Sequence, residues 1–418
     1  MIDPALPHQA TSTTTAAYAA DEPVRESHRI DVGRPGRALY FYDAQAGFEL
    51  QGELDYLSNR SVEANVFFSG QFLAPALPRL EEREIRLAIL RDMAGRKRAR
   101  FLMPFSVERP GLGLGTSIIR VWANHFAPLG TPLIDAEEAA ESIDNVFEAL
   151  ANPNSGLPPL LVIPDVKVNR PAAQLIRAIA MSRNLPLSTT DQRERPMLES
   201  LLDGEAYMSE TVSSKHNQEM RRQWRKLSEQ GEVAYSVARQ PRDVVKRMEE
   251  FLLLESSGWK GKEKTALTID RLRSAFAREA IYNLAQADKV RIHTIDLNGQ
   301  AIASLIVFLS AGEAYTWKTA YNEAYASCSP GKILMSKVTE WHIDDANIVR
   351  TDSLAVPDHP VMSRLWRERE AMATLIIGLS PSRDRDVRQI ATQLHLYQNT
   401  RDVARKLRDR IMSLRGRP

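Results

Sequence analysis

A run of three strands and a helix in the second half of the chain constrains the fold most. Residues 290–297 and 301–309 are largely apolar, and Asn298-Gly299 between them is the strongest short signal for a β-hairpin. Residues 314–321 alternate and predict a third strand. Pro330 suits the first position of a following helix. This order favours a mostly antiparallel sheet flanked by helices.

The first half of the chain shows a similar alternation of strand-like and helical segments. The first half has strand patterns at 38–42, 84–90, 99–107, 117–123 and 160–166, helical patterns at 135–150 and 171–183, and a short apolar helix or turn at 69–77. A chain of 418 residues is expected to hold two domains. We predict a mixed α/β (α+β) fold with two halves, residues 37–203 and 204–380.

The two ends of the chain differ from this body. Residues 1–36 lack hydrophobic periodicity, which predicts disorder. Residues 381–418 read as a basic amphipathic helix, with Ile390 and Leu394 on its apolar stripe. We expect this helix to dock on the body or on a second subunit, which would form a homodimer, rather than on a membrane.

Composition limits the classes of function. The net charge of +2 gives no electrostatic case for nucleic acid. The single cysteine, Cys328, excludes an internal disulfide framework and is typical of a reducing compartment. No apolar run approaches the ~20 residues that cross a bilayer, and no signal peptide pattern is seen. The histidines lack metal-ligand spacing. We expect a cytoplasmic protein without a catalytic metal.

The strand that ends at Tyr321 and the helix that begins near Pro330 predict an anion site. Ser329 is a preferred N-cap residue. Gly331 leaves the first turn bare, so that a ligand can approach the free backbone amides. Lys332 opposes the helix dipole by roughly 0.3–1 kcal/mol unless an anion is bound there. The pattern favours a phosphate or carboxylate site. The alternative is an ordinary capped helix with a solvated lysine.

A second unusual segment follows a helix that carries an apolar Phe-Leu-Leu-Leu run. It reads Glu255-Ser-Ser-Gly-Trp259-Lys260-Gly-Lys. A tryptophan between glycines is costly to expose and has little local structural reason. Glu255 could accept a proton while Trp259 and Lys260 form a substrate wall. Alternatively, the tryptophan fills a gap between helix and sheet.

Four ordered motifs together resemble a known family. They are Glu255-x-x-Gly-Trp-Lys-Gly, Trp317-Lys-x-x-Tyr321, Ser329-Pro-Gly-x-x-Leu334 and Asp352-x-Leu354. This series is similar to the GNAT-type acetyltransferases of the CelD group, which is associated with cellulose biosynthesis. These enzymes are relatives of the FemAB aminoacyl transferases. The similarity covers roughly residues 48 to 378.

The resemblance implies two GNAT-like halves, of which the second binds the acyl donor. In GNAT enzymes acyl-CoA lies along a splayed strand, and its pyrophosphate contacts the amides of the following helix. Carried over by motif, the residues that bind acetyl-CoA or another acyl-CoA are Ser329, Gly331, Lys332 and Ile333. This chain departs from the usual phosphate pattern, because one glycine stands at the helix start. In the FemAB relatives the donor is aminoacyl-tRNA.

The resemblance also implies catalytic roles for direct acyl transfer. Glu255 is the leading candidate for the general base and Asp352 the second, while Tyr321 would protonate the departing thiolate. The implied substrate-binding residues are Trp259, Lys260, Trp317 and Lys318. Because side chains alternate along a strand, Lys318 would face away from Trp317, and the alternative for it is a charge on the strand surface.

The function that follows is transfer of an acyl group, in the first place acetyl, from acyl-CoA to an amine or sugar acceptor. Such a reaction would belong to polysaccharide or envelope metabolism. One alternative is a FemAB-type aminoacyl transferase, which would bind tRNA in a salt-sensitive way. The other is a GNAT-fold scaffold without catalysis. The acceptor, the acyl chain and the oligomeric state stay open.

Overall fold

The computed structural model describes residues 26–93, 98–110, 116–397 and 400. The strands assigned in these residues are β1 (His28–Asp31), β2 (Arg37–Asp43), β3 (Arg86–Asp92), β4 (Arg98–Glu108), β5 (Ile118–Val121), β6 (Leu133–Ile134), β7 (Leu160–Lys167), β8 (Leu187–Leu198), β9 (Val233–Ala238), β10 (Val290–Leu297), β11 (Gln300–Ser310), β12 (Glu313–Tyr321), β13 (Arg350–Asp352) and β14 (Glu368–Gly378).

The α-helices of the same residues are α1 (Ala46–Glu49), α2 (Gln51–Ser58), α3 (Gly70–Leu80), α4 (Ala139–Ala151), α5 (Pro171–Ser182), α6 (Gly204–Glu210), α7 (Ser214–Ser228), α8 (Pro241–Ser257), α9 (Trp259–Lys262), α10 (Arg271–Gln286), α11 (Pro330–Asp344) and α12 (Met362–Leu365). Short 3-10 helices span Val66–Phe68, Pro153–Ser155, Leu267–Ile269, Glu323–Cys328 and Pro381–Arg383. Residues 384–397 are also helical.

One mostly antiparallel sheet runs through the protein. Its order is β1-β2-β3-β4-β5-β7-β14-β8-β13-β12-β11-β10-β9, and β6 pairs with β4. Among the described strands two pairs are parallel, β5 with β7 and β12 with β13. The predicted mixed α/β class, with mostly antiparallel strands and flanking helices, is confirmed.

The two halves of this sheet exchange their last strands. β14 comes from the end of the second half, yet it lies between β7 and β8 of the first half. β8 in turn pairs with β13 of the second half. On its other side, β7 of the parallel pair β5–β7 thus pairs with β14 from the second half, and β13 of the pair β12–β13 pairs with β8 from the first half. These contacts join the strands of both halves into one sheet. The boundary between residues 203 and 204 stays a prediction.

The hairpin between β10 and β11 forms as predicted. Asn298 has φ 50° and Gly299 has φ 77°, so both turn residues are left-handed. A two-residue type I′ turn requires this, and its twist matches that of the flanking strands. The third strand, β12, then pairs antiparallel with β11 and leads toward α11.

The predicted ends need one correction. Residues 1–25 lie outside the described residues, but β1 occupies His28–Asp31, so the predicted disorder of 1–36 does not extend to it. β1 is ordered because it pairs with β2 at the sheet edge. The helix at 384–397 packs Val387, Ile390 and Leu394 against the first half of the sheet, so this part docks on the body. The rest of the predicted tail lies outside the described residues, except Thr400.

An aromatic cluster joins the helices of both halves beneath β12. Trp317 lies with its ring centroid 6.3 Å from that of Phe72 in α3, 6.1 Å from Phe276 in α10 and 4.9 Å from Phe308 in β11. The contacts with Phe72 and Phe276 are edge-to-face, and such pairs contribute about 0.5–1.5 kcal/mol each beyond the area they bury. The cluster fixes the position of the strand on which the predicted site lies.

Candidate functional site

β12 and β13 separate after a short parallel contact. They pair at three positions, of which the last joins Tyr315 and Asp352. Thr316 then bridges the gap, because its Oγ1 donates to the carbonyl oxygen of Ser353 at 2.8 Å. Beyond this point a cleft of about 510 Å³ opens between β12, the loop after β13, the end of α8 and the start of α11. We call it the splay cleft.

A β-bulge shapes the strand at the cleft. Ile306 of β11 pairs with Lys318 and the next residue pairs with Thr316, which leaves Trp317 as the extra residue of β12. A bulge increases the local twist and redirects a side chain. Trp317 is 8% exposed, and its Nε1 donates to the carbonyl oxygen of Phe126 at 2.8 Å. The bulge therefore turns the Trp317 ring into the core while the same residue lines the cleft.

The structure brings most of the predicted site residues to this one cleft. They come from three separate segments of the sequence: Glu255, Trp259, Lys260, Trp317, Tyr321, Ser329, Gly331 and Lys332. Three other candidates, Lys318, Ile333 and Asp352, are not among the lining residues. The motifs chosen from the sequence thus meet in space, except at these three positions.

The start of α11 has the exposed amide that the sequence predicts, but Ser329 does not cap the helix with its side chain. Ser329 is left-handed, with φ 51°, and its carbonyl accepts from the amides of Lys332 and Ile333. Pro330 has no N–H. The Gly331 amide has no acceptor within the described residues, and Lys332 is exposed with no ion pair there. This arrangement suits an anionic ligand, and left-handed strain at a non-glycine residue is typical of ligand sites.

Glu255 lies at the end of α8 and is 3% exposed. Its Oε1 accepts from Lys260 Nζ at 3.0 Å, and its Oε2 accepts from the Leu267 amide at 2.8 Å. Lys260 Nζ also donates to the Thr319 carbonyl at 2.7 Å. These contacts tie the α9 turn to α8 and β12. Glu255 is also the one carboxylate among the described lining residues of the splay cleft.

Trp259 and Tyr321 form the walls near the mouth of the cleft. Trp259 is 45% exposed, so it does not fill a gap between helix and sheet, which was the alternative for it. Tyr321 ends β12, and its ring lies against the start of α11: a Cβ placed on Gly331 would be 3.5 Å from the Tyr321 ring. Glycine at this position therefore widens the space beside the exposed amide.

Asp352 lies in a buried charge cluster instead of the cleft. It is 1% exposed, 3.2 Å from Arg195 and 3.5 Å from Lys167, which also pairs with Glu313. Burial alone would raise the pKa of Asp352, but Arg195 and Lys167 hold it below its usual value. Its Oδ1 accepts from the amide of Leu354, which is left-handed with φ 48°. Asp352 thus fixes the loop that borders the cleft.

Lys318 and Ile333 have other surroundings. Burial lowers the pKa of Lys318 to about 8, with a further contribution from Lys260. Its Nζ lies 4.6 Å from the ring centroid of Phe126, so it is not a simple strand-surface charge. The Ile333 side chain is 3% exposed and packs in the core behind α11.

Sequence reasoning missed His359, which lines the splay cleft from the loop after β13. Its Nδ1 accepts from the amides of Val361 at 3.3 Å and Met362 at 3.2 Å. Burial lowers its pKa, so the ring is neutral near pH 7. With Nδ1 accepting, the proton is assigned to Nε2, which makes His359 a hydrogen-bond donor. A lone histidine in a loop carries no sequence signal for this.

A second cleft of about 890 Å³ lies beside the first. It shares Trp317, Leu354 and Ala355 with the splay cleft, and the first half of the chain supplies most of its other lining, from β5, the segment after β5, β7 and β8. Its side chains are mainly polar or charged. We call it the polar cleft.

A family model matches part of the second half. Residues 214–355 match the model described as the acetyltransferase (GNAT) domain. Over these residues the second half is similar to a GNAT-type domain. The match runs from α7 to just beyond β13 and includes every predicted site residue. The CelD group within the GNAT enzymes stays a prediction. A search of curated protein sequences found no match.

One solved structure has a similar fold across both halves. The C-terminal domain of an Agrobacterium fabrum protein assigned as a lysylphosphatidylglycerol synthetase aligns with a TM-score of 0.51 at 10% identity, over 85% of this chain and 96% of that one. FemX aligns with a TM-score of 0.47 at 9% identity, over 79% and 96%. A tandem GNAT protein from the clavulanic acid pathway gives 0.38 at 12%, over 82% and 99%.

Two further properties of the described residues are their capacity for metal binding and the length and polarity of their helices. In the part of the chain that the structure describes, no group of three or more His, Cys, Asp or Glu side chains could hold a metal ion. None of the helices found there is long and apolar enough to cross a bilayer.

Proposed function

We propose that this chain transfers an acyl group, in the first place acetyl, from acyl-CoA to an amine or sugar acceptor. The observation that carries this proposal is the splay cleft itself. The separated strands β12 and β13, the exposed Gly331 amide and the unpaired Lys332 border one space within the GNAT-type domain.

The acyl donor fits this space along its length. Ser329, Gly331 and Lys332 offer a hydroxyl, a backbone amide and a cation, which suit the pyrophosphate of CoA. Toward the splay the lining becomes apolar, with Leu305, Met335 and Met362, which suits the pantetheine arm. The thioester would then lie near Trp317, where the two clefts meet.

The chemistry is direct transfer between two bound substrates. The acceptor nitrogen or oxygen attacks the thioester carbonyl carbon, the new C–N or C–O bond forms, and the C–S bond breaks. Glu255 takes the proton of the attacking group, and the Tyr321 hydroxyl gives a proton to the departing thiolate. His359 Nε2–H is a further donor that the cleft supplies. Holding both substrates in place provides much of the rate acceleration.

The structure refines the roles of the other candidates. Because Asp352 is buried with Arg195 and Lys167, we assign it to positioning the Leu354 loop and not to proton transfer. Lys260 donates a hydrogen bond to Glu255 Oε1. To act as a base through this oxygen, Glu255 must accept the proton while it keeps that hydrogen bond, or the bond must break first. Lys260 and Trp259 line the splay cleft, where we expect them to contact the substrates.

Binding of acetyl-CoA tests the donor half of the proposal. A ligand at one hundred times its Kd stabilises a folded protein by about 2.7 kcal/mol, which a thermal shift detects. Lys332→Ala should weaken acetyl-CoA binding about tenfold, as expected for loss of one charge-assisted contact. Lys337→Ala is the matched control, because Lys337 lies on the same helix and outside the splay cleft.

Transfer itself is then measured by mass spectrometry with a panel of amines and amino sugars. An acetylated product that requires the wild-type cleft would support the proposal. If acetyl-, succinyl- and palmitoyl-CoA all fail to bind, the acyl-CoA assignment is wrong. Salt-sensitive binding of charged tRNA in their place would favour the aminoacyl alternative.

A further inference from the structure

The polar cleft is placed to hold the second substrate of the proposed transfer. It meets the splay cleft at Trp317, Leu354 and Ala355, and it opens on the side of the first half. A molecule bound there can extend a reactive group past Trp317 toward the splay. The chemistry of its lining therefore indicates which acceptor it takes.

Two matching β-bulges build one wall of the polar cleft. In β7, Pro164 and Asp165 together oppose the single residue Thr374 of β14. In β8, Asp191 and Gln192 together oppose Ala373. Asp165 and Asp191 are both left-handed, with φ 54° and 55°. The bulges thus bring two aspartates from strands on either side of β14 to the same level of the sheet, and both line the cleft.

The two aspartates differ in their partners. Asp165 forms an ion pair with Arg193. Asp191 accepts one hydrogen bond, from the Thr374 hydroxyl at 3.3 Å, while its buried Oδ1 has no partner within the described residues. Burial raises the pKa of Asp191, and the Asp165 carboxylate adds to the rise. An acceptor atom that is buried without a donor loses hydration, which a ligand with an N–H group would restore.

The arginines that line the cleft also differ in whether they have an ion-pair partner. Arg193 is paired with Asp165, and Arg195 with the buried Asp352. The side chain of Arg120, on β5, forms no ion pair or hydrogen bond in the described part of the chain, although its positive charge lowers the pKa of Asp191. The cleft therefore presents a carboxylate oxygen, Asp191 Oδ1, and the guanidinium of Arg120, neither of which has a hydrogen-bond or ion-pair partner within the described residues.

Resting on the acyl transfer proposed above, we infer that the polar cleft binds the acceptor as a zwitterion. Asp191 accepts a hydrogen bond from a protonated amine of the acceptor, and Arg120 binds an anionic group of the same molecule. A second, neutral amine of that acceptor then reaches past Trp317 to the thioester. Diamino acids have this chemistry, whereas a neutral sugar would leave both charges without a partner.

Two probes separate the two contacts. L-Lysine carries an ammonium, a carboxylate and a second amine, whereas cadaverine carries the two amines alone. Ligand-observed NMR titration of the full chain measures both affinities. Asp191→Asn should weaken both probes at least tenfold. Arg120→Gln should weaken L-lysine about tenfold and leave cadaverine unchanged.

The variants are chosen to keep the fold. Asparagine tolerates the left-handed region, so Asp191→Asn preserves the bulge and the Thr374 contact. Asp288→Asn is the matched control, because Asp288 is also left-handed, with φ 55°, and lies outside the cleft. It should leave both affinities unchanged.

The titrations can contradict the zwitterion site while the proposed acyl transfer still stands. If wild-type protein binds acetyl-CoA but neither probe, or if Asp191→Asn binds both probes as wild type does, the zwitterion site is wrong. If Arg120→Gln weakens both probes equally, Arg120 does not bind the anionic group. Failure of wild-type protein to bind any acyl-CoA counts against the acyl transfer instead.

Discussion

The indole Nε1 of Trp317 donates to the backbone carbonyl of Phe126 at 2.8 Å, and this bond links the two halves at the wall between the clefts. Trp317→Phe keeps an aromatic ring but removes the donor, which leaves a buried carbonyl without its partner. We expect a loss of about 1–3 kcal/mol in the free energy of unfolding by urea and a lower rate of transfer.

Trp366→Phe is the control for this variant. Trp366 is fully buried, and its Nε1 donates to Thr339 Oγ1 at 2.9 Å, away from both clefts. It should lose similar stability and keep its affinity for acetyl-CoA and its rate of transfer. Equal rates in the two variants would show that the Trp317 bond has a structural role alone.

Gly331→Ala should separate stability from donor binding. The backbone at Gly331 is helical, so alanine would stabilise the folded state by up to about 0.5–1 kcal/mol. Its Cβ would lie 3.5 Å from the Tyr321 ring and narrow the space beside the exposed amide. We expect an unchanged or higher Tm and about tenfold weaker acetyl-CoA binding by calorimetry.

The matched control is Gly52→Ala. Gly52 is the second residue of α2, as Gly331 is of α11, and a Cβ there would meet no atom within 4 Å. It should stabilise the protein without any effect on acetyl-CoA. Undiminished donor affinity in Gly331→Ala would argue against pyrophosphate at this helix end.

Tyr321→Phe tests the proton donor. Removal of the hydroxyl should lower kcat by about 10²–10⁴-fold, the usual contribution of general acid catalysis, with little change in KM for acetyl-CoA. Tyr325→Phe is the control, since Tyr325 lies nearby but outside the lining of the splay cleft. Single-turnover rates that are equal in both variants would remove Tyr321 from the mechanism.

Glu255 and Lys260 can be tested as a pair. Glu255→Gln keeps an oxygen for the Leu267 amide but loses the base, so kcat should fall at least about 100-fold. Lys260→Met frees Glu255 Oε1 and releases the α9 turn from Thr319, so KM should rise while kcat is largely kept. If Glu255→Gln changes KM and stability but not kcat, the carboxylate is structural.

Glu63 predicts a pH dependence of stability. Burial raises its pKa from 4.5 to about 7, against the opposing effect of Lys167. The folded state thus holds this proton to higher pH than the unfolded state does. Its contribution is fully present below about pH 4.5 and is lost as the pH rises through 7.

Glu63→Gln removes this titration and keeps an acceptor for the Ala172 amide. Its free energy of unfolding, relative to wild type, should increase between pH 5 and pH 8, by an amount on the order of 3 kcal/mol. The exposed Glu82→Gln variant is the control and should show no such trend. A flat difference for Glu63→Gln would contradict the buried, protonated carboxyl.

The sequence predicts the elements whose hydrophobic pattern is clear and misses those whose residues line clefts. β12 and the start of α11 carry an alternating run and a Pro-Gly signal, and both form where expected. β8 reads LSTTDQRERPML and has no apolar alternation, yet it lies at the centre of the sheet. It was missed because its polar side chains face the polar cleft and the buried charge cluster.

Site residues follow the same division. Glu255, Tyr321 and Ser329 to Lys332 lie in short motifs, so their common location could be predicted from order and spacing. Asp191 and Arg120 depend on contacts between distant strands, and Trp317 turns inward because of a bulge. A bulge breaks the two-residue period on which strand predictions rest, so the periodic pattern of the sequence does not predict where a bulge lies.

The exchange of strands at the centre of the sheet has a consequence for biosynthesis. β7 and β8 leave the ribosome with a gap between them, and the strand that fills it begins at Glu368, 170 residues after Leu198. At translation rates of 5–20 residues per second this interval is roughly ten to thirty seconds. During that time the edges of β7 and β8 that β14 will cover stay unpaired, and unpaired strand edges make a nascent chain prone to aggregation.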